Sequence, residues 1–118
     1  MRIQLTFGIL MLALVGVHVG ITFADADPRT VRTFKAKCAA CHGDDGKGAT
    51  EQGKKMGMGD LSSAAWQKEF TDDKIKAAIN DGFKRDKNGK HQEMESFKDK
   101  LRPEQVDALV AYLRALAK

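Results

Sequence analysis

Two cysteines three positions apart, with a histidine directly after the second, are the residues of this chain best placed to do chemistry together. Cys38-Ala39-Ala40-Cys41-His42 holds both cysteines of the 118-residue sequence. The pattern C-x-x-C-H reads as an attachment site for c-type haem. On one helical turn, residues three apart lie close together. Each thiol can then add to one of the two vinyl groups on the same porphyrin edge. The next residue carries an imidazole under the ring, within reach of iron. Other uses of the same residues fit less well. A structural zinc site needs four ligands, and beyond the motif His91 is the sole further Cys or His of the chain after residue 24. A redox-active C-x-x-C needs a thioredoxin-like βαβ setting, and strand signals are nearly absent. A simple disulfide would leave His42 without a purpose.

The elements that must position this motif read as short helices. Asp27-Pro28 opens the first, with Asp as N-cap and Pro at the first helical position. Val31, Phe34 and Cys38 fall on one face at spacings of three and four, and the helix is expected to end near His42-Gly43. Gly43, Gly46, Gly48, Gly53, Gly57 and Gly59 lie within 17 residues. That density predicts a loop with no regular element. A short helix is expected near Ser62 to Phe70. Another runs from about Thr71 to Asn80, with Ile75, Ala78 and Ile79 as its apolar face and Gly82 as its stop. Polar, turn-rich sequence follows through Asn88-Gly89. Pro103 begins the last helix, where Val106, Leu109, Val110, Leu113, Leu116 and Ala117 recur at helical spacing. Val31, Phe34, Leu109 and Leu113 are the expected core. The fold class is therefore all-α, and its long loops point to something wrapped within them.

The first 24 residues are set apart from this domain. Arg2 is followed by an apolar run from Ile3 to Val19, and Thr22-Phe23-Ala24 offers small residues where a signal peptidase reads. Cleavage after Ala24 makes 1–24 a signal peptide, 25–118 the folded domain, and the protein periplasmic or otherwise exported. An uncleaved anchor is the competing reading, since a run of this length can just span a bilayer. The formal charge of the whole chain is +4. No concentrated basic stripe suggests nucleic acid.

From about Val31 to Leu116 the chain resembles the class I c-type cytochromes, closest to the small bacterial and photosynthetic carriers. The likeness runs in order through Phe34 and Cys38-Ala39-Ala40-Cys41-His42-Gly43, the glycine-rich loop and Ile79-Asn80-Asp81-Gly82. It continues through Met94-Glu95-Ser96-Phe97 and the helix from Leu101 to Leu116. The resemblance implies three to five short helices, with long loops around one covalent haem c. It also implies terminal helices that cross at right angles, with Phe34 against the Tyr112 face. The implied function is one-electron transfer between redox partner proteins by a monomer that is not an enzyme. Stable membrane insertion is not expected after cleavage.

The resemblance further implies His42 and Met94 as axial ligands, Met94 lying where the family carries its methionine. Where the family usually has proline after it, this chain has Glu95. A thioether opposite the histidine raises the potential and suits electron transfer. His91, Met56 and Met58 are the rivals. An open or weakly held sixth position would instead suit a haem-based sensor or a peroxidase-like domain. Glu93 and Glu95 are expected to lower the potential by favouring the ferric charge. Trp66 is either a hydrogen-bond donor to a haem propionate or a partly buried core aromatic. Lys54, Lys55, Lys84, Arg85, Lys87 and Lys90 either form a positive rim or are simply solvated.

Overall fold

A computed structural model describes residues 26–117, so the signal peptide expected over 1–24 lies outside the described residues. In chain order these form α1 (Pro28–Lys37), α2 (Ala39–His42), α3 (Glu51–Met56), α4 (Ala64–Glu69) and α5 (Asp72–Asp81). A hairpin of β1 (Phe83–Lys87) and β2 (Lys90–Met94) follows, then α6 (Pro103–Ala115). The expected architecture of short helices joined by long connections is present. Its helices number six among the described residues rather than three to five.

The helix ends follow from local chemistry. The Asp27 carboxylate accepts the Arg29 N–H at 3.2 Å, with Pro28 at the first helical position. The helix does not run unbroken to His42. Cys38 departs from helical geometry, with φ −120° and ψ −35°, and α2 restarts after it. Thr71 caps α5 by accepting the Lys74 N–H at 3.3 Å, and Gly82 closes it at φ 66°. At the start of α6, Gln105 Oε1 accepts the Arg102 N–H at 3.0 Å.

The core lies where α1, α5 and α6 meet. Phe34 and Leu109 are its most deeply buried large side chains, joined by Ile75, Ile79, Val106, Val110 and Leu113. The Phe34 and Tyr112 rings pack with centroids 5.0 Å apart, tilted by 56°. Val31, expected in the core, is only half-buried. The neighbouring Thr30 is buried in its place.

Two segments differ from the sequence reading. The glycine-rich stretch does hold a helix, α3. Thr50 supplies its N-cap, its Oγ1 accepting the Gly53 N–H at 2.9 Å and donating to the Cys41 carbonyl at 3.0 Å. Gly53 is there for space: a Cβ would lie 2.3 Å from the Gly48 carbonyl oxygen and 2.4 Å from that of Cys41. The stretch after Gly82 is an antiparallel hairpin, although it has no β-branched residue. Asn88 (φ 53°) and Gly89 (φ 72°) make its two-residue turn, both with the positive φ of a type I′ connection. Polar side chains pair across the strands: Lys84 meets the Glu93 carboxylate at 2.9 Å, and the His91 ring meets the Asp86 carboxylate at 2.9 Å.

Candidate functional site

The motif sits at the break between α1 and α2. The Cys38 carbonyl accepts the N–H groups of both Cys41 (3.2 Å) and His42 (2.9 Å), which winds the chain into a single tight turn. Both thiols are free and half-buried. The His42 carbonyl accepts the Gly48 N–H at 2.7 Å. With α3 packed on the Cys41 carbonyl, the backbone of the motif is held from both sides.

Burial shapes the chemistry of these side chains. It pushes the Cys38 thiol up to about 11, against an opposing pull from Lys37. It lowers the pKa of His42, so the imidazole stays neutral and its ring electrons stay available to a metal. Among the described residues, His42 Nδ1 is buried without a hydrogen-bond partner. Buried polar atoms are nearly always satisfied, so this imidazole is shaped for a group beyond the polypeptide.

Met94 lines the cleft from the end of β2, paired in register with Phe83. Gly82 makes room for it. A Cβ at Gly82 would come within 2.3 Å of the Met94 carbonyl oxygen. Past the methionine, the Phe97 N–H donates to the Ile79 carbonyl at 2.9 Å, tying this segment to the end of α5. The rivals also border this cleft, Met56 and His91 among them, but in other settings. Met56 is buried, with its sulfur accepting from Gln52 Nε2 at 3.3 Å. His91 is exposed on the charged side of the hairpin, paired with Asp86 and 3.8 Å from Glu93. Met58 is half-buried and lines the same cleft as Met94.

The cleft has two compartments, of about 360 Å³ and about 660 Å³. Cys38, His42, Met58 and Met94 line both, so the thiol, the imidazole and two thioethers converge where the compartments meet. The smaller compartment is walled by apolar side chains that include Leu61, Trp66, Phe70 and Ile79, with Arg85 and Lys87 also in its lining. Trp66 and Phe70 are stacked at 5.2 Å. Cys41, Lys55 and Lys90 line the larger one. The arrangement suits a flat apolar macrocycle with charged edges: paired thiols to anchor it, a neutral imidazole for its metal, and apolar walls for its faces. The residues present fit a covalently held haem.

A family model described as cytochrome c matches residues 30–117. This chain belongs to the cytochrome c family. Members of that family carry covalently attached haem c. The cytochrome is 32% identical to a solved c-type cytochrome, KustC0563, at a TM-score of 0.61. The match covers 75% of this chain and 98% of that one. It is also 42% identical over 60 residues to the cbb3-type cytochrome c oxidase subunit FixPc of Rhizobium leguminosarum bv. viciae. That match covers 48% of this chain and only 20% of the relative. No helix among the described residues is long and apolar enough to cross a membrane.

One residue of the cytochrome's cleft escaped the sequence reading. Gln92 is 4% exposed although it lies in a run of polar residues. Its Nε2 donates to the carbonyls of Met56 (2.9 Å) and Gly57 (2.8 Å), and its Oε1 accepts from Arg85 Nε at 2.7 Å. The signal for it was the Asn88-Gly89 turn. Once that turn fixes the register, alternation puts Gln92 on the same hairpin face as Met94.

Proposed function

We propose that this cytochrome is an exported, monomeric one-electron carrier, with haem c bound through Cys38 and Cys41 and with His42 and Met94 as axial ligands. The observation that carries the reading is the convergence of Cys38, His42 and Met94 at the junction of the two compartments, with His42 Nδ1 buried and unpartnered. The chemistry supplied by the bound group is a one-electron iron couple. The residues supply the rest. Burial favours the neutral form of the His42 imidazole, the form that can bind a metal. The Met94 thioether favours the reduced form. Apolar side chains that include Leu61, Trp66, Phe70 and Ile79 wall the smaller compartment. Redox partner proteins are the expected donor and acceptor.

Absorption spectra of the native holoprotein test the reading. The ferric form should show the weak near-infrared band of sulfur ligation, and the ferrous form should not bind carbon monoxide. Met94→Ala should lose the band and bind carbon monoxide, while Met58→Ala should keep the native spectrum. Fast carbon monoxide binding by the unaltered protein would instead favour a haem-based sensor or peroxidase-like domain. The intact mass of the exported form should equal residues 25–118 plus one haem.

A further inference from the structure

We infer that Gln92 is a positioning residue for the sixth ligand, acting by clamping the strand that carries Met94 to the loop that carries Met58. The inference rests on the reading of Met94 as ligand. Gln92 sits two residues before Met94, and its amide reaches the carbonyls of the two residues that precede Met58. Its donor and acceptor sides are both engaged within the protein, and the side chain is almost wholly buried. A buried amide bonded on both sides has one geometry available to it, and loss of either side strands a polar group in a dry place.

The rest of the hairpin's hold on this side of the cleft is slight. Lys90 Nζ donates to the Lys54 carbonyl at 2.6 Å, but that contact is exposed. The Lys84–Glu93 and Asp86–His91 contacts of the hairpin join its own strands to each other. Beyond Met94 the chain is anchored to α5 through Phe97. Gln92 therefore fixes the near side of the Met94 segment, and Phe97 fixes the far side. Without Gln92 the strand keeps its pairing but loses its buried attachment to α3. The thioether should then yield more readily to a competing ligand.

Exogenous imidazole, titrated into the ferric holoprotein, is the probe. Gln92→Leu should bind imidazole about tenfold more tightly than the parent, since the net worth of an ordinary buried hydrogen bond is of that size. Gln92→Asn keeps an amide but shortens its reach, so it should shift binding in the same direction and serves where the leucine variant does not fold. Gln67→Ala is the stability control. Gln67 bonds the carbonyls of Leu61 and Leu113 at 2.8 and 2.9 Å, so its loss should lower the melting temperature. Its imidazole affinity should stay within about twofold of the parent. Parental affinity in the Gln92 variants, or a shift no larger than that of Gln67→Ala, would overturn the inference. Met94→Ala separates the two levels. If it keeps the sulfur band and parental imidazole affinity, the ligand assignment itself fails. If it binds imidazole readily while the Gln92 variants do not, only the role of Gln92 fails.

Discussion

Phe34 of α1 rests against Tyr112 of α6 with ring centroids 5.0 Å apart and planes tilted by 56°, and this contact joins the two ends of the domain. Phe34 is 1% exposed and also lines the cleft. The same ring therefore serves the helix crossing and the wall of the site. Tilted aromatic pairs add to the burial of the rings themselves. Phe34→Ala should cost about 3–5 kcal/mol, a large share of the stability of a domain this small. Denaturant titration of the holoprotein checks it. Phe34→Leu should cost much less, because it keeps most of the apolar volume.

Gly53→Ala should be destabilising, contrary to helix propensity. In an exposed helix interior, alanine is favoured over glycine by about 0.5–1 kcal/mol. At Gly53 the added methyl would meet two backbone oxygens, of Gly48 and Cys41, inside 2.5 Å. Backbone atoms cannot swing aside as a flexible side chain can, so α3 must lift from the haem-binding motif. The expected result is a lower melting temperature together with a smaller yield of haem-loaded protein. Gly59, with open space around it, is the contrast: Gly59→Ala should leave both nearly unchanged.

These two sites show what was legible in advance. Phe34, the cap at Asp27, the stop at Gly82 and the helix start at Pro103 can be read because each acts through its own residue type and near neighbours. The C-x-x-C-H turn could be read because attachment chemistry fixes its spacing. The α3 helix is hidden because glycine density says nothing about where each glycine falls. Gly53 provides clearance and Gly57 ends the helix, so two of the glycines assist it. The hairpin is hidden because its strands are charged rather than β-branched, and its buried polar tie, Gln92, lies in a polar run. The Asn88-Gly89 turn sets which face Gln92 takes, but the partners that bury it lie 35 and 36 residues away in sequence.

Tyr112 should make stability fall at high pH. Burial raises its pKa above the ordinary 10.0, and the nearby Asp44 carboxylate pushes the same way. The folded state therefore prefers the neutral phenol. In the unfolded chain the phenol ionises first, so the unfolded state binds fewer protons in that window. Stability is complete below about pH 10 and is lost as pH rises through the folded value. Tyr112→Phe should remove this contribution. Tyr112 is the one tyrosine of the sequence, so its carbon-13 signal gives the titration directly.

Glu95→Gln should raise the midpoint potential, and the partner of Glu95 supplies a second test. Glu95, just past β2, is ion-paired with Lys100, while Glu93, two residues earlier, is paired with Lys84. A pair of opposite charges acts weakly at a distance because the two fields oppose. Fields add, however, so removing the carboxylate alone still subtracts one negative charge from the rim beside Met94. That disfavours the ferric state, which carries the extra positive charge. In water-like surroundings a unit charge some ~10 Å away shifts a one-electron couple by on the order of 10 mV. Glu95→Gln should therefore move the potential upward by about that much, and less at high salt. Lys100→Gln should move it downward. The double variant should return it close to the parent value, since it deletes the pair as a unit. Redox titration of the three variants at low ionic strength measures all of this. A double variant that tracks either single change would mean that Lys100 leaves its partner in solution.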